Sequence, residues 1–185
     1  GVAVSLHGTG GAWIVAAGSA DPEAFENAIV TSLDRKVCNT LNTCCIVRSR
    51  ADELVPVLLR GLREAGKRRD QSFRLHVAEG SQDFVESDLF GVEVTVVRAA
   101  GEHLEKQVDL LSIDELGREW EWEETPEISL VVVDDVDDAV DLFNRYSPLF
   151  EGSLLSVDDD EHRRFYDNLN APFVGDGYTR WVDGQ

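Results

Sequence analysis

The chain has 185 residues, with 17 Lys and Arg against 36 Asp and Glu and a formal net charge of -19. That length suits one domain with a core of its own and no need of staples. So acidic a chain repels nucleic acid and anionic membranes, which disfavours both as partners, and no apolar run approaches the ~20 residues of a membrane span.

Gly1 to His7 lacks a basic region and a long apolar core, so no signal peptide is read there. The three Cys form no disulfide framework, and a reducing, cytoplasmic setting is expected. With no C-x-x-C spacing and scattered His, no metal site is expected. The turn Gly8-Thr9-Gly10-Gly11 precedes the buried strand Ala12 to Ala17. Because these glycines come before a strand, not between a strand and a helix, the dinucleotide fingerprint fails.

Asp21-Pro22 reads as a cap and first-turn proline opening a helix to about Leu33, with Phe25, Ala28, Ile29 and Leu33 on one face. The stretch Asp34-Arg35-Lys36-Val37-Cys38-Asn39-Thr40 then joins this helix to an apolar strand, Cys44 to Arg48. A thiol at such a junction is held on both sides, and Arg35 and Lys36 supply positive charge that favours the nucleophilic thiolate. The alternative is that Cys38 is a small buried hydrophobe. Cys44 and Cys45, adjacent at the start of a strand, point to opposite faces, and at least one is expected to be buried.

Asp52 is expected to cap a helix with Leu54, Val55, Leu58, Leu59 and Leu62 inward, ending at Gly66. Phe73 to Val77 alternates as a strand, with His76 an ordinary strand histidine. Ser81 to Leu89 reads as a short helix and Val92 to Val97 as a strand. His103 to Trp122 has Leu104, Val108, Leu111 and Leu116 at spacings that suit helix or loop. Further strands are read at Ile128 to Val133, Leu154 to Val157 and Pro172 to Val174, with helices at Val136 to Tyr146 and Asp159 to Leu169. The acidic run Asp158 to Glu161 falls at a helix start, where carboxylates complement the dipole. Strands alternating with helices predict an α/β fold, a mostly parallel sheet covered by helices, over residues 1–185 as one domain.

Several segments together resemble gamma-glutamyl phosphate reductase (glutamate-5-semialdehyde dehydrogenase), of the aldehyde dehydrogenase superfamily. They are Lys36-Val37-Cys38-Asn39-Thr40, the turn at Gly8 to Gly11, Ser19-Ala20-Asp21, Asp137 to Val140 with Asn144 to Ser147, and Thr179 to Gly184. The resemblance implies an aldehyde-dehydrogenase-like catalytic domain in which the Cys38 thiolate attacks an acyl phosphate, expels phosphate and forms a thioester. NADPH would reduce that thioester to the aldehyde, a step of proline biosynthesis. It assigns Asn39 and Arg180 to the substrate and Glu123 to the nicotinamide ribose, and it allows a homo-oligomer in a full-length protein. General aldehyde dehydrogenases carry a water-activating Glu in the Gly-rich turn. His7 to Gly11 holds no acid, which favours the phosphate-reductase branch.

Departures accompany the resemblance. The family's NAD(P)-binding domain is not found in these residues, so weak NADPH binding and little activity are expected of the chain by itself. Tyr146-Ser147-Pro148-Leu149-Phe150 lacks the family's late glycines and His, and Asp176 stands where the family has Asn. Two other readings are a different thioester-forming aldehyde dehydrogenase, such as a CoA-acylating one, and a non-catalytic α/β module.

Overall fold

The computed structural model describes residues 10–182. Seven strands form one sheet: β1 (Ala12–Ala16), β2 (Leu41–Val47), β3 (Arg74–Ala78), β6 (Val108–Leu111), β7 (Glu127–Val133), β8 (Glu151–Leu155) and β9 (Phe173–Gly175). Their order is β6-β3-β7-β2-β1-β8-β9, and every neighbouring pair is parallel. The remaining two, β4 (Glu93–Arg98) and β5 (Gly101–Lys106), make a separate antiparallel hairpin. The fold is therefore α/β with a parallel sheet, as the alternation predicts.

Four helices cover the sheet: α1 (Pro22–Ser32), α2 (Ala51–Lys67), α3 (Val136–Tyr146) and α4 (Asp159–Asn168). From β1 through β2 to β3 the chain steps toward one edge, and from β7 through β8 to β9 toward the other. Right-handed crossovers then put α1 and α2 on one face and α3 and α4 on the opposite face, and the helices of each pair pack on each other. The local signals work as expected at α1, where the Asp21 side chain accepts from the Ala24 amide, and at α4, where Asp158 accepts from Asp160 and Glu161. At α2 the cap is Arg50, after a 3-10 turn over Arg48–Arg50, and Asp52 lies in the first turn.

Other expectations change too, and β8 starts at Glu151, three residues before the expected Leu154. β2 begins at Leu41, three residues early, because Ala12 of β1 pairs with Leu41 across an irregular register step. Cys44 and Cys45 are consequently mid-strand and both fully buried. Ser81 to Leu89 forms no α-helix but two 3-10 turns, Gln82–Phe84 and Ser87–Gly91. The Ser81 hydroxyl there accepts from the Val132 amide of β7, a long-range bond that local propensity does not foresee. His103 to Trp122 is neither helix nor plain loop, for it holds most of β5, all of β6 and a 3-10 turn at Ile113–Glu115. Its helix-like spacing misleads because Leu104 faces solvent on the hairpin while Val108 and Leu111 are buried beside β3.

No helix among the described residues is long and apolar enough to cross a membrane.

Candidate active site

Cys38 lies in the loop between α1 and β2, at the amino end of the sheet, and is exposed. The loop is held from within by Thr40, whose hydroxyl donates to the Arg35 carbonyl (2.7 Å) and accepts from the Val37 amide (2.8 Å). It is strapped to the chain entering β1 by Gly11 N to Cys38 O (2.7 Å) and Ala12 N to Thr40 O (3.0 Å). Glycine is required at position 10: a Cβ there would lie 2.6 Å from the Cys38 carbonyl oxygen and 2.7 Å from its Cα. Gly11 adopts φ +117, a left-handed conformation that favours glycine.

The back of the loop is fixed by the C-terminal 3-10 turn Thr179–Val182. The Asn39 side chain donates to the Thr179 carbonyl (3.1 Å) and accepts from Arg180, and the Thr179 hydroxyl donates to the Asn39 carbonyl (2.7 Å). Arg180 also bonds the Asp34 carboxylate (2.7 Å). Asn39 and Arg180, expected at the substrate, are thus brought together directly behind Cys38, both buried and bonded to protein.

In front of Cys38 opens a cleft of about 610 Å³ whose walls include Gly10, Lys36, Glu119, Trp122 and Glu123. Glu123, expected at the cofactor, shares this cleft with Cys38 although 85 positions separate them. Arg69 holds its segment by donating to the Glu123 carbonyl (3.1 Å), the Glu124 carbonyl and carboxylate (both 2.9 Å) and the Asp34 carbonyl (2.8 Å).

Glu119 is the residue that sequence reasoning missed. One of its carboxylate oxygens accepts from the Gly10 amide (2.7 Å) and the other from Lys36 Nζ (2.8 Å). Lys36 is therefore ion-paired, and its positive charge beside Cys38 is offset by a carboxylate from a distant segment. No local pattern marks Glu119 in the acidic stretch around it.

The cleft adjoins a second cavity of about 650 Å³, with Arg98, Glu119 and Glu121 lining both. Its floor is a buried charge cluster. Glu127 accepts from Arg74 (2.6 Å), from His76 Nε2 (2.7 Å) and from Arg98 (2.6 Å). His76 Nδ1 faces Asp109 at 2.5 Å, and Arg98 pairs with Glu105. Burial by itself would raise the Glu127 carboxyl, but the bonds from His76 and Arg98 and the charges of His76 and Arg74 outweigh it and hold it down at about 2. His76 is a strand residue, as expected, and both of its ring nitrogens meet protein carboxylates.

The resemblance seen in the sequence implies a nicotinamide dinucleotide, and one carboxylate of the cleft has the chemistry for one end of it. The Glu123 carboxylate is of the kind that suits ribose hydroxyls, whereas both oxygens of Glu119 are already bonded. Every α-helix among the described residues carries acid in its first turn, at Glu23, Asp52, Asp137 and Asp159 among others, which disfavours a pyrophosphate at those helix starts.

Brief iodoacetamide treatment of the folded protein is expected to modify Cys38 alone. Cys44 and Cys45 are inaccessible, and burial pushes both thiols well above the ordinary range, away from the reactive thiolate. Mass spectrometry of the peptides reads this directly, and label on Cys44 or Cys45 ahead of Cys38 would contradict it.

No family model matches the chain, and no curated protein matches it by sequence. Solved structures do match by fold. Gamma-glutamyl phosphate reductase from Thermotoga maritima superposes with a TM-score of 0.74 at 21% identity, over 96% of this chain and 36% of the other. An NADP-dependent glyceraldehyde-3-phosphate dehydrogenase from Bacillus halodurans, complexed with NADP, gives 0.59 at 17% identity, over 96% and 40%. An NAD-dependent aldehyde dehydrogenase from Sinorhizobium meliloti gives 0.60 at 16% identity, over 96% and 38%. This chain has the fold of a part of these three proteins and spans about two fifths of their length or less.

Proposed function

We propose that this chain carries the nucleophile of an aldehyde-dehydrogenase-type oxidoreductase that interconverts an acyl phosphate and an aldehyde, with gamma-glutamyl phosphate and glutamate 5-semialdehyde as the pair. One observation carries the reading: of three thiols only Cys38 is exposed, on a loop fixed front and back, at the mouth of a cleft that also holds Glu123.

The Cys38 thiolate attacks the acyl carbon. The bond from that carbon to the phosphate oxygen breaks, phosphate leaves with the electron pair, and a thioester remains on Cys38. The strapped loop keeps the sulfur in position for this attack, which is where oriented groups gain over reactants in solution. Asn39 and Arg180 act on the substrate through the loop they hold. Glu123 accepts from the ribose of NADPH, which would supply hydride and is held mainly by residues outside these 185. Such a protein works on small molecules in the cytoplasm, with homo-oligomers as its assembled form.

The test is the phosphate dependence of the complete protein. Both oxygens of Glu119 are occupied, by Gly10 and by Lys36, and the turn at Gly8 to Gly11 holds no acid, so this reading assigns no base to water at the thioester. Aldehyde oxidation should be fast with phosphate present and at least about tenfold slower to free acid without it. Rapid release of free acid without phosphate would assign water activation to a carboxylate of the cleft and replace this reading with an oxidising aldehyde dehydrogenase.

A further inference from the structure

Arg74 and His76 on β3, Asp109 on β6, and Glu127 and Ser129 on β7 share one face of the sheet, because the pairs Arg74–Glu127, His76–Asp109 and His76–Ser129 are in register. Arg98 and Glu105 of the hairpin close over them. A buried cluster of this kind stabilises a sheet no better than apolar side chains of the same volume. Its geometric product lies above it. The His76 ring stacks on Trp120 with centroids 3.6 Å apart and planes 11° from parallel, while the Arg118 guanidinium covers the indole at 4.6 Å. The indole Nε1 donates to Ser129 Oγ (2.8 Å) and the Trp120 amide to Asn42 Oδ1 (2.9 Å).

Trp120 is thus clamped on its ring faces, its edge and its backbone, and the residue before it is Glu119. We infer that His76 is a positioning residue for the Cys38 cleft: held by Asp109 and Glu127, it fixes the plane of Trp120 and so keeps Glu119 on Gly10 and Lys36. Both His76 nitrogens face carboxylate oxygens, Asp109 on one side and Glu127 on the other, which fixes the plane of the ring. The charged groups around it are Arg74, Arg98, Glu105, Asp109 and Glu127, with Arg118 beyond the indole.

The readout is the rate at which iodoacetamide alkylates Cys38 at pH 7 and low salt. Glu119→Gln leaves the Lys36 ammonium without its carboxylate, two residues from the thiol, and should speed alkylation roughly fivefold. His76→Asn keeps an amide donor for the carboxylates but removes the stacked ring, and Trp120→Ala removes its partner. Both should speed alkylation roughly two- to fivefold, and the gain should shrink at high salt. Trp120→Phe, which keeps an aromatic face for His76, should restore most of the wild-type rate.

A structural role for His76 would lower the melting temperature and leave these rates alone. Wild-type rates in folded His76→Asn and Trp120→Ala would overturn the inference, as would a wild-type rate in Glu119→Gln. Should His76→Asn not fold, amide exchange at Gly10 in Trp120→Ala decides it: faster exchange supports the inference, unchanged exchange rejects it. The inference bears on the cleft of the proposed function but rests on that reading only for its catalytic consequence. Turnover surviving in Cys38→Ala would sink the function and leave the alkylation result standing.

Discussion

Replacing Cys38 by Ala is expected to abolish turnover in the complete protein, a fall of at least about 10⁴-fold, to background. In the proposed reaction the thioester is a covalent bond to this sulfur, so no neighbouring group can substitute by binding the substrate better. Cys38→Ser should do nearly as badly. Among the described residues the cleft walls contain no His that could serve as a base, and a hydroxyl without one stays protonated at neutral pH. Because Cys38 is exposed and its loop is held through backbone and neighbours, either change should alter folding stability by no more than about 0.5 kcal/mol. Turnover at saturating substrate, measured beside the melting temperature, separates chemistry from folding. Activity within tenfold of wild type in a folded Cys38→Ala protein would refute the nucleophile.

The largest loss of stability is expected at Glu127. Its carboxylate is almost wholly buried and meets Arg74, Arg98 and His76. Glu127→Gln strips that charge and leaves three basic groups crowded around a neutral amide, a change costing about 3–5 kcal/mol. Folding of an average domain is worth only about 5–15 kcal/mol. By contrast, breaking the exposed Arg163–Asp160 pair should cost less than about 1 kcal/mol. Urea denaturation of the two variants gives the comparison.

The same carboxylate predicts the acid limb of the stability curve. Its folded-state value, about 2, lies below the ordinary 4.5. Its contribution is therefore full above about pH 4.5 and is lost as pH falls toward 2, roughly 3 kcal/mol over that window. Asp109 and Glu105 are held down as well and act in the same sense. In Glu127→Gln this limb should flatten. An unchanged acid limb would show that Glu127 does not carry it.

Local chemistry made much of this protein legible from its sequence. Asp21-Pro22 and the Asp158 run mark helix starts because a cap bonds amides two or three residues ahead. The apolar runs at Ala12 and Ile128 mark strands buried on both faces. Cys38 could be picked out because a helix and a strand both end on its loop. Each of these signals acts within a few residues, so the sequence by itself determined the α/β class and pointed to the thiol.

The tertiary structure alone decided what surrounds that thiol. The partners of Lys36, Gly10 and Arg180 lie 83, 109 and 146 positions away. Glu119 looks like one solvated acid among many until the sheet brings it to the Gly10 amide. The buried cluster is likewise assembled across β3, β6, β7 and the hairpin, where ladder register sets which side chains meet. The spacing from His103 to Trp122 suits helix or loop, yet β5 and β6 form there, because their apolar pattern has no meaning until a neighbouring strand supplies the partner. Strand order and the far side of every long-range pair depend on which surfaces exclude water together, and that choice is made by the whole chain at once.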